Sequence, residues 1–188
     1  MIQETIVTTQ NSSGATHIAP MGIHYFGGDE YIILPFRPSA TLDNLLTSKT
    51  AVINYCDDVR LFAGCLTGRR DWPLKPAEKV SGQVIDGALA HHEVELVRVE
   101  EDETRPKLFC RRIHSANHAP FQGFNRAQYS VLEAAILISR LNWLPIEKIE
   151  AECAYLRIGL EKTAGARELE AWGWIMAAIE AYKKGRKS

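Results

Sequence analysis

A group of hydrogen-bond donors lies between a buried strand and a short helix near residue 40. It contains Arg37, Ser39, Thr41 and Asn44 in the pattern R-x-S-x-T-x-x-N. The first turn of a helix exposes backbone N–H groups without an intrahelical acceptor and carries a partial positive charge. An arginine fork and short hydroxyl donors at that point suit a phosphate group. The pattern predicts an anion site; the alternative is that Ser39 or Thr41 only caps the helix while Arg37 faces water.

A second candidate is the strand-like run at residues 16–26, which contains Pro20 and Gly22 in its middle. Both residue types weaken a hydrogen-bonded strand, so the run predicts a bulge or an interruption. Backbone groups released there can point toward a ligand. The edge of a flat ring with alternating donors and acceptors, such as isoalloxazine, would match them. The alternative is an ordinary β-bulge or sheet corner.

The histidines and cysteines do not predict a metal site or thiol chemistry. His91 and His92 are neighbours on a predicted strand and therefore point to opposite faces. No carboxylate or cysteine lies at helical spacing to complete a tetrahedral metal site, so we expect no metal. The cysteines form no C-x-x-C pair and are typical of buried thiols in a reducing compartment: Cys56, Cys65, Cys110 and Cys153.

The elements that would position these groups divide the chain into two parts. Up to residue 120 the chain is mainly strand-like, with one short helix after Ser39; the predicted strands are 2–9, 16–26, 31–36, 51–55, 57–68, 92–101 and 107–114. Residues 69–79 are charged and rich in proline, which predicts an exposed loop. Apolar residues at helical spacing then predict helices near 125–141, 146–157 and 163–184. The last should bury one face, formed by Leu169, Trp172, Ile175, Met176 and Ile179.

Length and composition limit the classes of protein that the sequence can encode. The 188 residues suffice for one compact unit with a subdomain, and 46% hydrophobic and 24% charged residues are typical of globular proteins. Lysine and arginine total 22 against 23 acidic residues, so no overall charge attracts nucleic acid or anionic lipid. Neither a signal peptide nor an apolar run of membrane-spanning length is visible. We therefore expect a cytoplasmic protein that binds neither membranes nor nucleic acid.

Separate blocks of the sequence, taken in order, resemble one family. The blocks are ETIVTT at 4–9, APMGI at 19–23, RPSATLDNL at 37–45, AVINYCDD at 51–58 and FQGFNRAQYSVLEAAIL at 121–137. They are similar to domain-of-unknown-function family 447 of FMN-binding split-barrel, flavin-reductase-like proteins. That family is found in methanogens and in bacteria that use tetrahydromethanopterin. The resemblance spans nearly the whole chain.

The resemblance implies an α+β, mainly β fold: an FMN-binding split β-barrel over 1–120 and a helical C-terminal subdomain over 121–188. The barrel would have six strands, and a homodimer would build its FMN sites at the subunit interface. Related proteins hold the phosphate on the block that here is Arg37, Ser39, Thr41 and Asn44. Their ring edge lies along the block that here is Ala19, Pro20, Met21 and Gly22.

Two more side chains are candidates for contact with the cofactor. Asn54 lies near the end of the predicted strand 51–55 and could touch ribityl hydroxyls or the partner subunit, with a surface turn as the alternative. Asn125 fits the N-cap of the first long helix. Arg126 follows it and is a second-choice ligand for the phosphate or for an acidic substrate, with a surface charge as the alternative.

The implied function is that of a flavoprotein, an oxidoreductase in which FMN passes electrons to or from a pterin-like or other small substrate. A link to tetrahydromethanopterin C1 metabolism is part of this expectation. The alternative is a non-catalytic flavin-binding or scaffold protein. A barrel that binds haem or pyridoxal phosphate is a weaker reading, because the sequence offers no matching ligand pattern. The sequence does not specify the substrate.

Overall fold

The structure is a computed structural model that describes residues 1–185. Two compact units are present. We call the first the barrel unit; it comprises residues 1–56 and 71–121. We call the second the helical unit; it comprises residues 57–70 and the described residues from 122 onward.

The barrel unit is built on six strands that close in the order β1-β2-β3-β8-β7-β4. A two-stranded sheet of β5 and β6 and a single helix, α1, complete it. The elements are β1 Ile2–Gln10, β2 Thr16–Tyr25, β3 Glu30–Ile33, α1 Ala40–Ser48, β4 Thr50–Tyr55, β5 Leu74–Pro76, β6 Gln83–Ile85, β7 Ala90–Glu100 and β8 Lys107–Asn117. The six-stranded, mainly β fold expected from the sequence is therefore confirmed.

Strand alternation separates the inside of the barrel from its outside. On β4, Ile53 lies in the apolar interior, whereas the next residue, Asn54, is buried on the other face. The helix α1 contributes Leu42 and Leu45 to the interior. The remaining interior residues come from the strands: Val7, Ile23, Tyr31, Ile33, Ala51, Val94, Leu108 and Cys110.

A segment that we call the strap, residues 77–85, covers the outer face of β1, β4 and β7. It is held by side chains that bond to its backbone. The Glu93 carboxylate accepts bonds from the N–H groups of residues 78–80 at 2.7–2.8 Å, and the Asn54 side-chain oxygen accepts from the N–H of Ile85 at 2.9 Å. The strap therefore turns a face of the barrel that would otherwise meet water into a buried layer.

The helical unit consists of α2 Arg60–Leu66, α3 Arg126–Ile138, α4 Ile146–Thr163 and α5 Ala166–Gly185. Asn125 caps α3 as expected, because its side-chain oxygen accepts from the N–H of Ala127 at 2.7 Å. The buried core of the unit is almost entirely apolar: Val59, Ala63, Ala127, Val131, Ala134, Ala135, Ile138, Ile149, Cys153, Leu156, Leu160, Ala171, Trp172, Ile175 and Ile179. No helix in residues 1–185 combines the length and the apolar character needed to cross a bilayer.

Two expectations about individual segments are wrong, and the exposed loop expected at 69–79 is correct except for a three-residue strand. The strand predicted within 57–68 is the helix α2, because a short apolar run has no periodicity that separates strand from helix. The loop predicted at 69–79 contains β5 and begins the strap. On α5, Leu169 is 55% exposed, while Glu168 is buried and accepts a bond from the N–H of Gly165 at 2.8 Å.

Candidate functional site

The β2 strand is paired on one side only over residues 19–22, the predicted ring-edge block. It pairs with β1 along its length, but with β3 only from Ile23 onward. Across residues 1–185 no strand pairs with the other edge of this block. Pro20 has no N–H, which is compatible with a strand that has an unpaired edge. The predicted interruption is therefore on the β3 side, while the ladder to β1 is continuous.

Two further contacts fix the backbone of this block. The Thr5 hydroxyl donates to the carbonyl oxygen of Met21 at 3.0 Å. A Cβ atom at Gly22 would lie 3.1 Å from Cγ2 of Ile2, so a larger residue would have to shift the Ile2 side chain. These contacts hold the backbone of residues 19–22 in place. Its unpaired edge is suitable for the flat ring that the sequence predicts there.

The N-terminus of α1 has the features of an anion site. Ser39 is the N-cap, and its hydroxyl oxygen accepts from the N–H of Leu42 at 3.3 Å. Within the described residues, no protein acceptor binds the N–H groups of Ala40 and Thr41. The hydroxyl proton of Ser39 is a third donor, because capping uses only the oxygen. Ser39 therefore fulfils the capping alternative and still leaves three donors for a phosphate.

Arg37 is exposed to water, as in the alternative to the anion site. Its guanidinium pairs with the Glu101 carboxylate at 2.7 Å, and it is 42% exposed. Together with Asp102 and Glu103 these residues line a shallow depression of about 300 Å³. An exposed pair of this kind contributes only ~0–1 kcal/mol, so a phosphate can compete with Glu101 for the arginine.

Asn44 links α1 to the barrel wall close to the open edge. It is buried, and its side-chain N–H donates to the Thr9 hydroxyl at 3.0 Å. Two residues earlier on β1, Val7 is the register partner of Ala19. Positions two apart on a strand are separated by about 7 Å. The middle of α1 and the strand that carries the open edge therefore both contact the same part of β1.

Asn54 and Arg126 differ in their surroundings. Asn54 is fully buried, and its side-chain N–H donates to the carbonyl oxygen of Ile6 at 3.0 Å while its oxygen holds the strap. We therefore assign Asn54 to the packing of the barrel. Arg126 is exposed on the first turn of α3 and lines a groove of about 180 Å³ with Tyr129 and Tyr155.

A polar network inside the barrel escaped the sequence reasoning. Nδ1 of His92 lies 2.8 Å from the Tyr31 hydroxyl and 3.1 Å from the Tyr55 hydroxyl. Burial lowers the pKa of His92 to about 4, so the imidazole is neutral at physiological pH. Burial also raises the pKa of both tyrosines, which stay protonated. The network brings together residues from three strands, and only the tertiary structure reveals it.

A second cluster lies beneath the strap. His91, Glu93 and His114 come together because Glu93 and His114 are register partners on β7 and β8, and His91 shares the face of Glu93. Burial raises the pKa of the Glu93 carboxyl, but the backbone N–H groups of residues 78–80 outweigh that effect and hold the pKa below its usual value. Spacing along the chain gives no sign of this arrangement, which depends on the register of two strands.

The closed six-stranded barrel, with α1 filling its interior and one edge of β2 left open, is the fold of the flavin-reductase-like split barrels. The chain belongs to the DUF447 family. A family model described as the N-terminal domain of a protein of unknown function (DUF447) matches residues 3–119. A second model, described as a protein of unknown function (DUF447), matches residues 125–177. The family resemblance inferred from the sequence is thus confirmed.

Solved structures agree with this fold. An FMN-bound DUF447 protein from Methanosarcina mazei is 21% identical, with a TM-score of 0.82 over 94% of each chain. The 2-nitrobenzoate 2-nitroreductase of Pseudomonas fluorescens is 20% identical, with a TM-score of 0.54 over 61% of this chain and 64% of its own. An FMN-binding protein from Thermus thermophilus is 14% identical, with a TM-score of 0.52 over 61% and 69%. The likeness to the last two is confined to less than two thirds of this chain.

Proposed function

We propose that this protein binds FMN and acts as an oxidoreductase of the flavin-reductase-like type on a small substrate. The observation that carries the proposal is that the barrel unit presents two features suited to the two ends of FMN. One is the edge of β2 over residues 19–22, and the other is the donor-rich start of α1. The FMN-bound relative from Methanosarcina mazei supports the choice of cofactor.

The residues of the chain would divide the binding task between the two ends of FMN. The N–H groups of Ala40 and Thr41 and the Ser39 hydroxyl would hold the phosphate, with Arg37 recruited from its pair with Glu101. Backbone groups of residues 19–22 would orient the ring edge. Bound FMN would supply the electron-transfer chemistry, and the protein would supply orientation and electrostatics.

Further parts of the proposal concern the setting of the protein. We include a homodimer with FMN at the subunit interface, a cytoplasmic location and a substrate connected with tetrahydromethanopterin C1 metabolism. These parts are supported by the family resemblance. Three buried thiols, Cys65, Cys110 and Cys153, agree with a reducing compartment.

The phosphate site can be tested with a pair of variants at Ser39. Asp and Asn both serve as N-caps, so neither variant should lose the helix α1. Ser39→Asp adds a negative charge that stabilises the helix but repels phosphate. We expect Ser39→Asp to weaken FMN binding about 10- to 100-fold, the loss of one charge-assisted bond, while Ser39→Asn stays close to wild type. Fluorescence titration with FMN measures this effect.

Riboflavin, which lacks the phosphate, is the matched control ligand. Its affinity should be the same in the wild type and in both variants. If Ser39→Asp weakened riboflavin and FMN equally, the donors at α1 would not be the phosphate site. Unchanged FMN affinity in Ser39→Asp would have the same meaning.

The catalytic part of the proposal needs a separate measurement. The FMN-loaded protein is mixed anaerobically with a nicotinamide or a deazaflavin donor, and flavin bleaching is followed by absorbance. Reduction well above the rate seen with free FMN supports the oxidoreductase. Tight FMN binding with no acceleration by either donor would instead favour a non-catalytic flavin-binding or scaffold protein.

A further inference from the structure

The cluster beneath the strap has the dimensions of a metal site. One candidate ligand atom from each of His91, Glu93 and His114 lies within 4.8 Å of the others. Nε2 of His91 and Oε1 of Glu93 are 3.2 Å apart. Two ligands bound at 2.0–2.1 Å to a tetrahedral ion are separated by about 3.3 Å. The distance between Nε2 of His91 and Oε1 of Glu93 therefore already suits two ligands of one ion.

His114 supplies an unused ligand atom. Its Nε2 is buried and has no hydrogen-bond partner. Oε1 of Glu78, on the strap, is 3.4 Å away, but the two atoms are not aligned for a hydrogen bond. A buried polar atom without a partner costs about 1–3 kcal/mol, and that cost requires an explanation. A cation placed between His114, His91 and Glu93 would provide the missing partner.

Neighbouring groups hold the side chains of His91 and Glu93 in place. Nδ1 of His91 lies 2.8 Å from Nε2 of His118, so an Nδ1–H donated to His118 leaves Nε2 of His91 as a lone-pair ligand. The Glu93 carboxylate is fixed by three backbone N–H groups of the strap. Partners of this kind orient metal ligands in proteins and raise metal affinity.

We propose that His91, Glu93 and His114 bind a Zn²⁺ ion, with the Glu78 carboxylate completing a closed, structural site. Imidazole nitrogens favour zinc over calcium or magnesium, which prefer oxygen ligands. Two carboxylates balance the charge of the ion. Because Glu78 belongs to the strap and the other ligands to β7 and β8, the ion would clamp the strap to the barrel wall. With its proton on Nδ1, His91 presents the lone pair of Nε2 to the ion.

The direct test is metal titration of the purified protein after treatment with a chelator. We expect one Zn²⁺ per chain with a Kd in the micromolar range or below, measured with a chromophoric competitor. Co²⁺ should give the absorption bands of a four-coordinate nitrogen and oxygen site, without a thiolate band. No saturable binding below about 100 µM Zn²⁺ would overturn the proposal.

Variants assign the ligands. His114→Asn should weaken Zn²⁺ binding more than 10-fold, whereas the same change at His24, which is outside the cluster, should leave it unchanged. His118→Asn keeps all proposed ligands and should weaken binding about 10-fold, as expected for a positioning residue. Zn²⁺ should raise the Tm of the wild type and of His24→Asn, but not of His114→Asn. Wild-type affinity in His114→Asn would refute the assignment.

Discussion

The two units of the chain bury very different side chains. The barrel unit buries a set of polar residues: Thr5, Thr8, Thr9, Thr41, Asn44, Asn54, His91 and Glu93. In the described part of the helical unit, the buried polar residues are Ser130 and Glu168. The helical unit therefore depends on apolar packing, whereas the barrel combines an apolar interior with buried polar groups that must each find a partner.

The difference shows that directional hydrogen bonds specify the fold of the barrel unit, whereas the volume of apolar side chains specifies that of the helical unit. In the barrel, Glu93 and Asn54 bond to backbone groups of the strap and fix its position on the wall. A hydrogen bond requires a particular distance and angle, so these residues select one arrangement. In the helical unit, Trp172 and Ile175 contribute bulk, which several related side chains could supply. The candidate cofactor and metal sites both lie in the barrel unit.

Replacing Glu93 should cause the largest loss of stability. Glu93→Gln puts an amide NH₂ group against backbone N–H donors of the strap and removes a buried charge that they stabilise. We expect the free energy of unfolding to fall by about 3–5 kcal/mol, measured by urea denaturation with a chelator present.

The matched control is Glu95→Gln, two residues along β7, where the side chain is partly exposed and pairs with Arg111. Glu95→Gln should lower the free energy of unfolding by less than about 1 kcal/mol. Similar losses in the two variants would show that the stability of the barrel does not depend on its buried polar groups.

A packing variant probes the helical unit. Ile175→Ala removes methyl and methylene groups from a fully buried position and should lower the free energy of unfolding by about 2–4 kcal/mol. Leu169→Ala, on the same helix but exposed, should change it by less than about 0.5 kcal/mol. If only the removed volume matters, Ile175→Val should lower the free energy of unfolding by an intermediate amount, about 1 kcal/mol. A Leu169→Ala loss as large as that of Ile175→Ala would contradict this view.

The smallest effect is expected where the helical unit does use a polar group. Asn125→Ala removes the N-cap of α3 and should cost about 1 kcal/mol in thermal or urea unfolding. Asn125→Asp keeps an acceptor for the N–H of Ala127 and should recover most of that loss. Equal losses in both variants would indicate that the bond from the Asn125 side chain to the carbonyl of Thr163 matters more than the cap.

Sequence patterns predicted the fold well because most signals are local. Alternation gave the long strands, and the N-cap at Asn125 gave the start of α3. The block at residues 19–22 was recognised as unusual, and the structure explains it by the short pairing between β2 and β3. In each case the residues that carry the signal lie within one element or one turn.

The features that the sequence did not reveal depend on contacts between distant segments. The bond between Asn54 and the strap joins residues 31 apart, and the ion pair of Arg37 with Glu101 joins residues 64 apart. His114 meets Glu93 only through the register of β7 and β8. Side-chain type and local spacing cannot specify such pairings.

The placement of α2 limits how the chain can be truncated or divided. After β4 the polypeptide leaves the barrel unit at residue 57, forms α2 among the C-terminal helices, and returns at residue 71. A protein made by fusing a helical extension to the end of a barrel would need only one junction. Here three junctions join the units, so a truncation near residue 121 would strip the apolar side chains Val59 and Ala63 of their partners. The two units should therefore be expressed and exchanged together.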